Sequence, residues 1–127
     1  MEETTTIINQ EFRTLIIDDE VEFCMMMQGF FKRNNRTMDF STNLKEGFNK
    51  FKESQPDVLI LDHNLPDGQG IGNIRKFQAV TKGQKLYIIV ISAMSNLKMM
   101  ALENGADYFL TKPITFRNLI DIIQKRK

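Results

Sequence analysis

A single cysteine, a single histidine and three prolines occur in 127 residues. One cysteine, Cys24, excludes an intrachain disulfide and any thiolate cluster, which suits a reducing compartment. One histidine, His63, leaves no second His or Cys with which to build a metal site of that kind. No apolar run approaches the roughly 20 residues that cross a bilayer, so membrane insertion is not expected. Charge of one sign is equally scarce: 17 basic residues against 16 acidic ones give +1, which offers no strong field to nucleic acid. The opening MEETTTIINQ is acidic and polar, unlike a secretory signal. Residues 1–11 are expected to be a flexible lead-in to one domain over 12–127. The closing Lys125, Arg126 and Lys127 read as a frayed, solvated helix end.

What is present is a globular composition, 42% hydrophobic and 26% charged, in a chain sized for one domain with its own core. Apolar segments at 14–17 (TLII), 58–61 (VLIL) and 86–91 (LYIIVI) predict strands covered on both faces. Weaker strand candidates are 37–40 (TMDF) and 107–110 (DYFL). Between them lie helical patterns. From Glu20, the residues Phe23, Met26, Met27, Phe30 and Phe31 form one apolar stripe of core-filling side chains, with Cys24 beside it and partly buried. Leu44, Phe48 and Phe51 mark a second helix, with Thr42 or Asn43 as its cap. Ile71, Ile74 and Phe77 mark a third. Leu97, Met100 and Ala101 mark a short fourth, stopped by Asn104-Gly105. Phe116, Leu119, Ile120 and Ile123 mark a fifth, entered from Pro113 and Thr115. Five β-α repeats predict an α/β fold: a parallel sheet with helices on both faces, and a site at the carboxyl ends of the strands.

The residues at those ends are polar. The first strand runs into Asp18-Asp19-Glu20, the third into Asp62, the fourth into Ser92 and the fifth into Thr111-Lys112-Pro113. Neighbouring carboxylates raise one another's pKa unless something compensates, and Mg²⁺ prefers such oxygen ligands. Asp62 is placed to attack phosphorus as a carboxylate nucleophile, with the metal, Lys112 and the Ser92 hydroxyl receiving the equatorial oxygens. Helix capping by Asp18 and Asp19, with a Lys112 ion pair, would explain part of the pattern, but capping needs no Asp62 at another strand's end. Pro66-Asp67-Gly68 then turns the chain away, and Asn64 can offer its backbone carbonyl to the metal. GQGIG at 68–72 lacks the spacing of a nucleotide loop and reads as turn and helix-start glycines. His63 is expected to point away from Asp62 and line one side of the site.

LIIDDE at 15–20, LILDHNLPDG at 59–68, ISA at 91–93 and GADYFLTKP at 105–113, in this order, resemble the response-regulator receiver domains of two-component signalling. The resemblance runs from Phe12 to about Gln124. It implies a doubly wound, flavodoxin-like (βα)5 fold with five parallel strands in the order 2-1-3-4-5. It also implies Asp62 as phosphoacceptor and Asp18 and Asp19 as the Mg²⁺ pair, Asp19 directly. Ser92 takes the position of the hydroxyl that moves toward the phosphoryl group, and Phe109 that of the aromatic that turns inward when it does. Many relatives have Tyr there, and Phe has no hydroxyl to present outside. The Lys112-Pro113 bond resembles the family's cis peptide, which pins the lysine.

Further implications are a histidine kinase or histidine phosphotransfer protein as donor and a readout face of the fourth helix, fifth strand and fifth helix. The protein would be cytoplasmic, a monomer or a dimer promoted by phosphorylation, and would catalyse its own phosphorylation without being an ordinary enzyme. Asn64 and Met94 hold the family's hydrolysis-tuning positions. Asn64 can orient a water and Met94 offers no strong hydrogen bond, so a longer-lived phosphoryl group is expected. Two features depart from the pattern. Gln69 replaces a common acidic residue. Twenty positions separate Ser92 from Lys112, about two fewer than in relatives, which predicts a shortened fourth helix or a tighter loop. Two other functions remain open. An Asp-nucleophile phosphatase would need a further acid or base, and a receiver-like binding module would not be phosphorylated. The length leaves no room for an output domain, so the receiver acts alone or belongs to a larger regulator or hybrid kinase.

Overall fold

The computed structural model describes residues 12–126; the lead-in expected at 1–11 lies outside them, as does Lys127. Five strands form one parallel sheet: β1 (Arg13–Ile17), β2 (Thr37–Ser41), β3 (Val58–Asp62), β4 (Tyr87–Ser92) and β5 (Tyr108–Thr111). Their order is β2-β1-β3-β4-β5. The five helices are α1 (Val21–Arg33), α2 (Leu44–Ser54), α3 (Ile74–Ala79), α4 (Lys98–Glu103) and α5 (Phe116–Gln124). This is the doubly wound α/β fold expected from the alternation of patterns. A two-residue hairpin, Asn64–Leu65 against Gly68–Gln69, follows β3.

The central strands carry apolar residues on both faces, so their period-two alternation divides the core into two halves. Leu15, Ile17, Leu59, Leu61, Ile88 and Val90 pack with Phe51, Ile74, Phe77 and Ala101 of α2, α3 and α4. Ile16, Val58, Ile60, Ile89 and Ile91 pack with Cys24, Met27 and Phe31 of α1 and Leu119 and Ile123 of α5.

Several side chains lie elsewhere than their spacing suggests. Met26 belongs to the predicted stripe of α1 but is half-exposed, and Cys24, expected to be only partly covered, is fully buried. The helix turns its 24-27-31 line to the sheet, while Phe30 and Phe31 reach Phe116 of α5, with ring centroids 5.4 and 5.2 Å away. Met100 of α4 is likewise exposed. Arg126 is not a loose solvated end: its guanidinium lies 5.0 Å over the Phe12 ring and donates to the Ile123 carbonyl at 2.8 Å. The fourth helix is short, six residues after a 3₁₀ turn at Ser95–Leu97, and it stops at Gly105 with φ +108°.

Candidate functional site

The carboxyl edge of the sheet assembles the site. Asp62 is the last residue of β3 and lies opposite Ile91 in β4. Its carboxylate is almost wholly buried. Asp18 directly follows β1, where its N–H donates to the Ser41 carbonyl; its side chain is fully buried, whereas Asp19 is exposed. Neither caps α1. Glu20 stands at the N-cap without a side-chain bond, and Asp18 Oδ1 accepts the Glu20 N–H at 2.8 Å. Across the edge, the Lys112 N–H donates to the Ser92 carbonyl at 2.8 Å, and the Lys112–Pro113 bond is cis.

Lys112 Nζ is shared among three carboxylates. It is 3.0 Å from Asp18 Oδ2, 3.0 Å from Glu20 Oε1 and 3.5 Å from Asp62 Oδ2. The contact with Asp18 is an ion pair only, so that buried oxygen has no hydrogen-bond donor. Burial raises the Asp18 pKa, with the Glu20 N–H and Lys112 pulling it back. Burial and then the charge of Asp18 push Asp62 up to about 6, against the pull of Lys112. Burial works against the charge on Lys112, but the hydrogen bond to Glu20, the ion pair with Asp18 and the charge of Asp62 outweigh it, and its pKa rises. Cys24, which donates from Sγ to the Asp18 carbonyl at 3.3 Å, is pushed up to about 12 by burial and by Asp18, so it is an inert thiol.

One lysine cannot neutralise this group. Asp18, Asp19 and Asp62 each offer an oxygen within 4.8 Å of the others, close to the roughly 4.2 Å across an octahedral Mg²⁺ site. The donorless Asp18 oxygen and the all-oxygen set both fit a hard divalent cation.

The other candidate residues stand on β4, β5 and the loops that follow β3 and β4. Ser92 is buried, and its Oγ accepts the Met94 N–H at 3.0 Å. Phe109 lies inside the core beside Val90, Leu97, Ala101 and Ala106. Asn64 begins the hairpin two residues after Asp62 and is exposed, and the Met94 side chain is half-exposed. His63 is buried with its ring toward the loop before α3, where Nδ1 accepts the Ile71 N–H at 3.3 Å. Its proton therefore sits on Nε2, and burial lowers its pKa.

Three contributors escaped the sequence. Glu20 holds Lys112. Asp67 accepts the Leu44 and Lys45 N–H groups at 2.8 and 3.0 Å, tying the loop after Asp62 to the start of α2. Gly70 packs so closely on the Asp62 carbonyl that a Cβ would collide with it, a use of glycine that only the folded loop reveals.

The family model for the response regulator receiver domain matches residues 14–124. Chemotaxis protein CheY of Thermotoga maritima is 31% identical over 116 residues, covering 89% of this chain and 95% of that protein. The uncharacterized transcriptional regulatory protein YclJ of Bacillus subtilis is 29% identical over 108 residues, 85% of this chain but 47% of that protein. A two-component response regulator from Clostridium difficile superposes with a TM-score of 0.82 at 26% identity, covering 91% of this chain and 93% of that one. The chain thus spans nearly all of one curated relative and about half of another.

Proposed function

Because the chain belongs to the response-regulator receiver family, we propose that Asp62 accepts a phosphoryl group from a phosphohistidine of a histidine kinase or histidine phosphotransfer protein. The observation that carries this reading is the buried Asp62 carboxylate at the end of β3, with Lys112 Nζ 3.5 Å from Oδ2 and two further carboxylates alongside. An Asp62 oxygen forms the new P–O bond as the P–N bond of the donor breaks, and the departing imidazole nitrogen takes up a proton. Lys112 and the Ser92 hydroxyl receive the phosphoryl oxygens. Asp18, Asp19 and Asp62 would hold Mg²⁺ with the Asn64 backbone carbonyl, and the ion supplies positive charge to the transferring oxygens.

The α1 surface beside the site exposes Val21, Met25 and Met26, a suitable landing for a helical donor. The readout face is α4, β5 and α5, on which Met99, Met100 and Tyr108 are exposed. Switching requires Ser92 to leave the Met94 N–H and turn to the phosphoryl group, a population shift driven by that better contact. Hydrolysis of the phosphoryl group is tuned at Asn64 and Met94. The lone buried Cys24 suits the reducing cytoplasm.

Intact-mass measurement after incubation with acetyl phosphate and Mg²⁺ tests the reading. A single phosphoryl adduct is expected, lost in Asp62→Asn and in EDTA. Absence of the adduct together with absence of Mg²⁺ binding would leave a binding module instead.

A further inference from the structure

Lys112 is the cation that must meet the incoming phosphoryl group, yet its Nζ is closer to Glu20 than to the nucleophile, 3.0 Å against 3.5 Å. Glu20 is the most exposed of its three partners and contributes no cap to α1. Asp18 is committed from its other oxygen to the Glu20 N–H. When Asp18 turns to a cation, Lys112 is left between two carboxylates, Asp62 and Glu20. Only the first lies where the phosphoryl group arrives.

We propose that Glu20 is a positioning residue that tethers Lys112 away from the phosphoryl position and so restrains phosphorylation of Asp62. The inference rests on the proposed phosphoacceptor role of Asp62. To assist transfer, Lys112 must give up its 3.0 Å contact with Glu20. With acetyl phosphate, an Asp62 oxygen bonds to phosphorus, the P–O bond to acetate breaks and acetate leaves as its carboxylate. No proton moves, so Lys112 acts by its charge alone and its position sets its contribution. The Glu20–Lys112 pair is partly exposed, and pairs of that kind contribute little; the tether therefore modulates the rate without blocking it.

The test compares wild type, Glu20→Gln and Glu20→Asp by intact mass at saturating Mg²⁺ over a range of acetyl phosphate concentrations. Glu20→Gln is expected to raise the maximal rate about two- to fivefold, the size of such a pair. Glu20→Asp keeps the charge but is one methylene shorter, so it should behave like Glu20→Gln. A gain confined to KM, with Glu20→Asp like wild type, would mean that Glu20 merely repels the anionic donor, and would overturn the tether. So would an unchanged or lower maximal rate in Glu20→Gln. A second readout needs no phosphorylation: in metal-free protein, the Lys112 ammonium ¹⁵N resonance should shift in both variants, and an unmoved resonance counts equally against the contact. Failure of wild type itself to form an adduct would strike at the phosphoacceptor reading, while the ammonium resonance would still decide whether Glu20 holds Lys112.

Discussion

Asp62 combines two properties that pull against each other: burial among carboxylates and the need to be ionised for attack. Its pKa is raised from 3.8 to about 6, so the folded state favours the protonated acid more than the unfolded chain does. The penalty is absent below about pH 4, grows between the two pKa values and is complete above about pH 6. Asp62→Asn removes it. Metal-free Asp62→Asn should therefore be more stable than wild type at neutral pH by about 1–3 kcal/mol, and the gain should shrink as pH falls through about 6. Urea unfolding at several pH values measures this, and a gain that ignored pH would refute the charge-burial account. Asp18, Asp19, Asp62 and Lys112 could be found in the sequence because each stands where an apolar strand stops. Glu20 and Gly70 could not: one acts through a contact with a residue in another β-α unit, and the other through the space it leaves beside a carbonyl.

At the scale of elements, spacing identified every helix but misjudged the orientation of α1. The predicted stripe of Phe23, Met26, Met27, Phe30 and Phe31 is centred roughly 65° from the 24-27-31 line that meets the sheet. Counting Cys24 among the apolar residues would have moved it the right way, and the aromatic contacts with α5 explain why Phe30 is only half-buried. The start of α2 shows a second limit. Asn43 was legible as a cap and does accept the Glu46 N–H at 2.8 Å. Asp67, which accepts the two preceding free N–H groups, comes from another loop and leaves no local signal. Asp67→Ala should cost about 1 kcal/mol, as Asn43→Ala should, the usual worth of a cap. The two losses differ in pH dependence. The bond to Leu44 lowers the Asp67 pKa despite some desolvation, so its stabilisation is present above the unfolded value and is lost as pH falls through the lower folded one. Thermal unfolding at neutral and strongly acidic pH should show the Asp67→Ala deficit vanishing in acid, with that of Asn43→Ala persisting; two deficits with the same pH profile would contradict the clamp.

For the whole molecule, five β-α repeats pointed to a parallel sheet, while the strand order came only with the family resemblance, because periodicity says which residues are covered and not which strands are neighbours. That order places β1 beside β3 and brings Asp18 and Asp62 to one edge, where Lys112 alone cannot balance them. The fold thereby holds a charge imbalance that a divalent cation would relieve, and relief in the native state alone is stabilisation. Millimolar Mg²⁺ should raise the unfolding midpoint, by the equivalent of about 2.7 kcal/mol where the ion exceeds its Kd a hundredfold. NaCl at equal ionic strength should not reproduce the rise. The effect should weaken as pH drops below about 6, because protons compete for Asp62, and should fall in Asp18→Asn, which removes the carboxylate with the donorless oxygen. Calorimetry in Mg²⁺, in matched NaCl and in EDTA separates these cases. A rise that NaCl matched would reduce the ion to screening, and the three carboxylates would then be balanced by Lys112 and solvent alone.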